Sequence, residues 1–127
     1  MALTTAGRNH ITVCLINDGS PTFFDNSNSY LAVGDSTTAF AVGQTDLQAV
    51  TNKIRKGMDT SYPTRTDNQL TFKATYSTSE ANFVWNEWGI FNASTSGVML
   101  NRKVESLGEK TSYATWVFTV TLTINAS

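Results

Sequence analysis

The segment 115-TWVFTVTLTI-124 alternates large apolar side chains with mostly threonine side chains along its whole length. The apolar set consists of Trp116, Phe118, Val120, Leu122 and Ile124. An alternation with a period of two is typical of a β-strand that has one buried and one solvated face. The segment 69-QLTFKATY-76 shows the same alternation. Two strands that are apolar on one face only predict an antiparallel sheet.

Three further strands are predicted at 29–34, 83–91 and 97–104, where β-branched and aromatic residues lie between clusters of Gly, Asn, Asp and Ser. Several short strands separated by such turns are typical of a mainly β protein. We therefore predict a single antiparallel β-sandwich, jelly-roll-like fold or barrel, in one domain over residues 1–127. Within it, residues 24–124 form the β domain and residues 1–16 form an N-terminal arm or short helix.

Two segments have a pattern that differs from that of the strands. Thr45 and Gln48 have the spacing of a capping box, which predicts a short helix or helical turn over 45–52. Residues 3–16 fit either a helix with one partly apolar face or an extended arm that leads into a strand from His10 to Ile16. We favour a short helix or arm that is followed by this strand.

The composition argues against several classes of partner. Nine basic and ten acidic residues leave a formal charge of -1, which gives no overall attraction for nucleic acid. No apolar run approaches the roughly 20 residues that cross a bilayer, so we expect no association with a membrane. One cysteine, one histidine and no phosphate-binding glycine motif predict neither a metal site nor a cofactor.

Glu87 is the best candidate for a catalytic residue, because it lies between Trp85 and Trp88. An apolar wall raises the pKa of a carboxyl group, and indole rings offer a stacking surface for a sugar. However, no second carboxylate or nucleophile stands at a defined spacing from Glu87. We therefore predict that the protein is not an enzyme. Glu87 would be a buried structural carboxylate, paired with an arginine such as Arg55 or Arg102.

The stretch 83–91 does not alternate, which predicts a strand that is covered on both faces. One face carries Trp85, Glu87, Gly89 and Phe91, and the other carries Val84, Asn86, Trp88 and Ile90. One of these faces would serve the core of the subunit and the other a neighbouring subunit. Three tryptophans, seven phenylalanines and four tyrosines favour an interface in so small a domain. The candidate core and interface residues are Trp85, Glu87, Trp88, Phe91 and Trp116.

Four longer segments resemble, in the same order, small structural proteins that are encoded by tailed bacteriophages. They are 30-YLAVGDSTTAFAVGQTDLQA-49, 56-KGMDTSYPTR-65, 70-LTFKATYSTSEANFVWNEWGIFN-92 and 99-MLNRKVESLGEKTSYATWVFTVTLTI-124. The resemblance covers roughly residues 24–124, about four-fifths of the chain. It extends over the whole domain and includes no catalytic signature. Within residues 1–23, only the LTTAGR start is similar.

The resemblance implies a virion structural protein, and we favour a capsid cement or decoration protein. Such proteins typically sit as homotrimers on the head shell and clamp neighbouring copies of the major capsid protein. The sequence NEWGIFN followed by MLNR also resembles the attachment modules of tail-collar fibres, so a tail protein is the alternative. In either case the protein would be made in the host cytoplasm and located on the virion, on the head surface or on the tail.

Two parts of the chain are candidates for contact with the shell. They are Leu3, Arg8 and Ile11 in the N-terminal segment, and the basic residues Lys53, Arg55, Lys56 and Arg65. The basic cluster 53-KIRK-56 fits a solvated strand or loop equally well. A third hypothesis is a carbohydrate-binding or receptor-binding module, in which Trp85 or Trp88 stacks on a sugar.

Overall fold

The computed structural model describes residues 2–126, so Met1 and Ser127 at the ends of the predicted domain lie outside it. In chain order the elements are β1 (Ala2–Leu3), α1 (Thr5–Leu15), β2 (Tyr30–Gly34), β3 (Lys53–Gly57), β4 (Thr64–Thr66), β5 (Gln69–Tyr76), β6 (Val84–Phe91), β7 (Met99–Glu109) and β8 (Trp116–Thr123). They form a five-stranded sheet in the order β1-β7-β6-β2-β3 and a three-stranded sheet in the order β4-β5-β8. A shared hydrophobic core lies between the sheets, so the predicted mainly β, sandwich-like fold is confirmed.

The two strands with a clear alternation pair with each other. β5 and β8 are antiparallel, from Gln69 opposite Thr123 to Tyr76 opposite Trp116. Their apolar side chains point into the core, while the threonine face of β8 points outward. The other three predicted strands correspond to β2, β6 and β7.

The N-terminal segment is a helix through the residues from His10 to Leu15, so the predicted strand from His10 to Ile16 is wrong. Helix α1 begins after Thr4, whose buried side chain accepts a hydrogen bond from the backbone N–H of Gly7 at 2.9 Å. Such an N-cap satisfies an N–H group that has no partner within the helix. The cap therefore favours a helix from the start of this segment.

Residues 45–52 form no helix, so this prediction is wrong as well. The backbone N–H groups of Gln48 and Ala49 donate hydrogen bonds to the carboxylate of Glu87, far away in the sequence. Leu47 packs into an apolar cluster on the five-stranded sheet. These long-range contacts fix an irregular conformation that the local capping-box spacing does not reveal.

Strand β6 is covered on both faces, as predicted for the stretch 83–91. On the inner face, strand β6 contributes Trp85, Trp88 and Ile90 to the main hydrophobic core. On the opposite face, Phe91 packs in a second cluster with Ala32, Leu47 and Met99. Leu47 belongs to the irregular segment 35–52 of the same chain. This segment covers part of the face that was expected to meet a neighbouring subunit.

The predicted division of the β6 side chains between the two faces is wrong at Trp85. The pairing of β6 with β7 has a register shift between Trp85 and Glu87. A β-bulge of this kind moves the side chains before it to the other face of the sheet. Trp85 therefore lies in the main core together with Trp88.

Helix α1 approaches the backbone of β7 closely at Gly7. The N–H of Thr4 donates to the carbonyl oxygen of Leu100 at 3.0 Å, and the Thr4 hydroxyl donates to the carbonyl oxygen of Met99. A Cβ atom at position 7 would lie well inside contact distance of the Leu100 carbonyl oxygen. Glycine is the residue that allows this approach.

Replacing Gly7 with alanine should lower the free energy of unfolding by about 1–3 kcal/mol, because the backbone of Leu100 cannot move aside as a flexible side chain would. Gly43→Ala is the matched control, since a Cβ atom there meets nothing within 4 Å. Its effect should stay within about 0.5 kcal/mol. Urea unfolding followed by tryptophan fluorescence measures both variants. Equal stability of the two would contradict the close approach of α1 to β7.

Candidate functional site

An ion pair between Glu87 of β6 and Arg102 of β7 is buried in the interior. Both side chains are 0% exposed, and the Arg102 Nε donates to the Glu87 Oε1 at 2.8 Å. The predicted pairing of Glu87 with an arginine is confirmed, with Arg102 and not Arg55 as the partner. The Arg102 Nη1 also donates to the Oε1 of Gln44 at 3.2 Å. Hydrogen bonds of this kind offset the cost of taking two charges out of water.

The carboxylate of Glu87 also holds the irregular segment 35–52. Its Oε1 accepts a hydrogen bond from the N–H of Gln48 at 2.8 Å. Its Oε2 accepts from the N–H groups of Ala49 at 2.8 Å and Ser36 at 3.3 Å. A Cβ atom at Gly34 would lie 2.5 Å from this Oε2, so glycine makes room for the carboxylate. One side chain thereby fixes both ends of the segment to the sheet.

This geometry does not support a catalytic role for Glu87. Each carboxylate oxygen already accepts two hydrogen bonds, and the side chain has no contact with solvent. A general acid or base must come within hydrogen-bond distance of the proton that it transfers. Glu87 has no open side from which a substrate could reach it.

The tryptophans of the candidate site lie in the interior. Trp85 and Trp88 are 2% and 5% exposed. The Trp85 ring makes edge-to-face contacts with Tyr76, Trp116 and Phe118, with centroids 4.9, 4.9 and 5.8 Å apart. Phe91 is buried as well, and Trp116 is half-buried. Trp85 and Trp88 therefore do not offer the exposed stacking surface that a sugar-binding module requires.

An open cleft of about 270 Å³ lies beside strand β3. The polar residues that line it are Asp46, Lys53, Arg55, Ser94, Thr95 and Ser96. The Lys53 Nζ lies 2.9 Å from the Asp46 Oδ2, and the Arg55 Nη2 lies 3.4 Å from the Asp46 Oδ1. Burial acts to raise the pKa of Asp46, but the hydrogen bonds and the two cations outweigh it and hold this pKa below its ordinary value.

Arg55 is fixed from several sides within this cleft. Its guanidinium lies 3.6 Å from the centroid of the Phe91 ring, a cation–π contact. Its Nη1 donates to the carbonyl oxygens of Ala93 and Ser96, both at 2.8 Å. The structure therefore uses Arg55 to hold the β6–β7 connection against β3.

The other two basic candidates have different partners. Lys56 forms an ion pair with Glu80 at 2.8 Å, and Glu80 also accepts a hydrogen bond from the N–H of Ser77. The hydrogen bond from Lys56, together with that from Ser77, lowers the pKa of Glu80 to about 2. Arg65 is exposed and donates to the carbonyl oxygen of Asp67 at 2.9 Å. Of the four basic candidates, only Arg65 has no ion-pair partner in the described part of the chain.

The three N-terminal candidates divide between the core and the surface. Leu3 and Ile11 are half-buried and pack against the main hydrophobic core. Arg8 is exposed on helix α1. Large apolar side chains are instead exposed where the helix ends, at Leu15 (79%) and Ile16 (77%).

Lys110, which belongs to no motif of the sequence, is a buried lysine that holds the connection between β5 and β6. Its side chain is fully enclosed, and its Nζ donates to the carbonyl oxygen of Ser77 at 2.6 Å and to the Oδ1 of Asn82 at 2.8 Å. Turn residues surround Lys110 in 106-SLGEKTS-112, and such a pattern predicts an exposed side chain. Nothing in the local sequence signals its burial.

A scan against models of known protein families matches no family, and a search of curated proteins finds no match. Among residues 2–126, no group of three or more His, Cys, Asp and Glu side chains could hold a metal ion. No helix in the same range is long and apolar enough to cross a membrane.

Replacing Glu87 with glutamine should lower the free energy of unfolding by about 3–5 kcal/mol, because Arg102 loses its counter-charge in the interior. The new amide group would also bring a donor toward N–H groups that need an acceptor. Glu105→Gln is the matched control, since Glu105 and Lys103 form an ion pair whose side chains are 35% and 47% exposed. Its loss should stay below about 1 kcal/mol. Chemical unfolding followed by circular dichroism measures the unfolding free energy of both variants. Similar losses of unfolding free energy in Glu87→Gln and Glu105→Gln would contradict a special role of Glu87.

The ion pair between Lys56 and Glu80 should make stability depend on pH. The pKa of Glu80 is lowered from 4.5 to about 2, so the stabilisation is present above pH 4.5 and is lost as the pH falls toward 2. At pH 6 the wild type should be more stable than Glu80→Gln, and the difference should shrink as the pH falls. The urea unfolding midpoints of the two proteins, measured at pH values from 6 downward, give this difference in stability. A difference that stays constant with pH would show that the pair does not stabilise the fold.

Proposed function

We propose that this chain is a non-enzymatic structural protein of a tailed-bacteriophage virion, and specifically a capsid cement or decoration protein. It would bind the head shell as a homotrimer and contact the major capsid protein. A protein that binds the assembled lattice and not its free subunits shifts the equilibrium toward the assembled shell. The proposal starts from the resemblance over roughly residues 24–124 and needs no chemical turnover.

The observation that carries the proposal is the place of the similar segments in the fold. NEWGIFN supplies Glu87 and MLNR supplies Arg102, which together form the buried ion pair. TDLQA supplies the N–H groups of Gln48 and Ala49 that bind the same carboxylate. The resemblance therefore rests on residues that fix the architecture. This favours a role in which the shape of the protein and its contacts matter more than a reactive group.

Exposed apolar side chains at the end of α1 provide a surface for contact with another protein. Leu15 and Ile16 are adjacent and are 79% and 77% exposed, and Phe23 farther along the chain is 49% exposed. Exposed apolar groups that are grouped together are typical of protein–protein contact sites. We therefore assign the contact of the N-terminal segment with the shell to Leu15 and Ile16, since Leu3 and Ile11 pack inward.

A position on the tail is the alternative, because NEWGIFN followed by MLNR also resembles tail-collar attachment modules. A sugar-binding module is less well supported, since Trp85 and Trp88 are covered by other side chains. The proposals for the head and for the tail differ in the partner and not in the fold. The test must therefore separate the two parts of the virion.

The proposal is tested by co-sedimentation of the purified protein with isolated heads and, separately, with isolated tails of the phage that encodes it. Light scattering first gives the mass of the purified protein. A trimer or a pair of trimers that sediments with heads, at a stoichiometry that matches the shell lattice, supports a cement protein. Sedimentation with tails alone would transfer the assignment to the tail. Sedimentation with neither would overturn the proposal of a virion protein.

The double substitution Leu15→Glu and Ile16→Glu should weaken binding to heads by roughly tenfold or more. Burying one large apolar side chain contributes about 1.5–3 kcal/mol, and 1.4 kcal/mol corresponds to a factor of ten in affinity. Val50→Glu is the control, because Val50 is 92% exposed but lies in another part of the chain. Unchanged unfolding midpoints would show that both variants fold. Equal binding of the double variant and the control would exclude the end of α1 as the contact.

A further inference from the structure

Strand β8 is an open edge of the three-stranded sheet. It pairs with β5 on one side and with no other strand of residues 2–126. It is eight residues long and contains neither a charged residue nor a proline. Edge strands are normally protected by charges, by proline or by a very short length, because their free N–H and C=O groups can pair with another chain. β8 has none of these three kinds of protection.

The other edge strands of the molecule are protected. β1 has two residues and β4 has three, so neither offers a long row of free backbone groups. β3 is the other edge of the five-stranded sheet and carries Lys53, Arg55 and Lys56 within its five residues. Charges of this kind disfavour pairing with another strand. β1 pairs with only Asn101 and Arg102 of β7, and the rest of that edge of β7 carries the charged residues Lys103, Glu105 and Glu109. Among the edges of residues 2–126, the absence of protection is therefore particular to β8.

Two clefts lie along β8 where it faces the outer half of β7. The first has a volume of about 330 Å³ and is lined by Trp85, Leu107, Trp116 and Phe118 among others. The second has a volume of about 290 Å³ and also includes Phe118, together with Trp88 and Val120. Its charged residues are Lys103 and Glu105, which pair with each other at 2.8 Å. A further strand beside β8 would thus have space for the side chains that it directs inward.

The sequence of β8 is complementary to itself. In an antiparallel pair centred on Val120, Thr119 of one copy would face Thr121 of the other, and Phe118 would face Leu122. Threonine pairs and pairs of apolar side chains across strands are favourable, and no like charges are opposed. Such a pair also satisfies the free backbone groups of both edges at once. A partner strand with charged residues would place them opposite side chains of β8 that carry no charge.

We propose that β8 pairs with β8 of a second copy of this chain, about a twofold axis, to give one continuous six-stranded sheet. The contact is isologous, because the same surface is used by both copies. It follows from β8 alone and does not depend on the proposed role in a virion. It predicts assemblies with an even number of copies, such as a dimer or a pair of trimers.

The first test is the mass of the full chain in solution, measured by light scattering across a wide range of protein concentrations. The expected mass is an even multiple of 13.9 kDa. The double substitution Thr119→Lys and Thr121→Lys should raise the dissociation constant of the pair by roughly tenfold or more, because the introduced ammonium groups of the two copies would lie opposite one another. Thr119 and Thr121 are exposed, so the fold of each copy should persist.

Thr64→Lys with Thr66→Lys is the matched control. These two threonines are also exposed and alternate on an edge strand of the same sheet, but β4 is only three residues long. This control should leave the mass unchanged. Thr119→Glu with Thr121→Glu should also separate the copies, and mixing it with the lysine variant should restore the pair. This rescue distinguishes repulsion across β8 from a general loss of stability.

Backbone hydrogen exchange gives a second measurement that does not depend on any variant. The N–H groups of β8 that point away from β5 should exchange more slowly at high protein concentration than at low concentration. A wild type that is monomeric at all concentrations, or an assembly with an odd number of copies, would overturn the proposal. An even assembly whose mass is unchanged in the lysine variant would overturn it as well.

Discussion

The carboxylate of Glu87 receives four hydrogen bonds in the interior, from Arg102 and from three backbone N–H groups of segment 35–52. This segment contains no helix or strand of its own, so its N–H groups need acceptors elsewhere once they are buried. Glu87 supplies them, and Arg102 compensates the charge. Apolar residues of similar volume could fill the space, but they could not accept these hydrogen bonds. The pair therefore determines how the segment lies on the sheet, at the cost of burying two charges.

Because segment 35–52 lies on the five-stranded sheet, the two sheets differ in how far their faces and edges are covered. The five-stranded sheet has the three-stranded sheet on one face and segment 35–52 on part of the other, with Leu47 and Phe91 packed between. In the three-stranded sheet, the outward side chains Val117, Thr119 and Thr121 of β8 are exposed, and β8 has no neighbouring strand on its outer side. Three strands also cannot cover the whole width of five. The clefts between β7 and β8 lie where this difference in width opens the sandwich.

The sequence predicts those parts of the structure whose periodicity reports burial directly. β5 and β8 follow from their alternation, and the pairing of Glu87 with an arginine follows from the cost of an isolated buried charge. The bulge before Glu87 cannot be predicted, because it depends on the register between β6 and β7 and moves Trp85 to the other face. Residues 45–52 show a local helix signal that a distant carboxylate overrides. The burial of Lys110 likewise depends on partners in another loop.

Most candidate cations of this chain are engaged by the chain itself. Ion pairs join Lys53 and Arg55 to Asp46, and Lys56 to Glu80. A partner that recognised these cations would have to compete with the carboxylates that already bind them. Two surfaces for association do not depend on these cations: the apolar side chains at the end of α1 and the free backbone groups along β8. Salt screens contacts between charges but acts much less on apolar burial and on backbone hydrogen bonds. Association through these surfaces would therefore persist over a wide range of ionic strength.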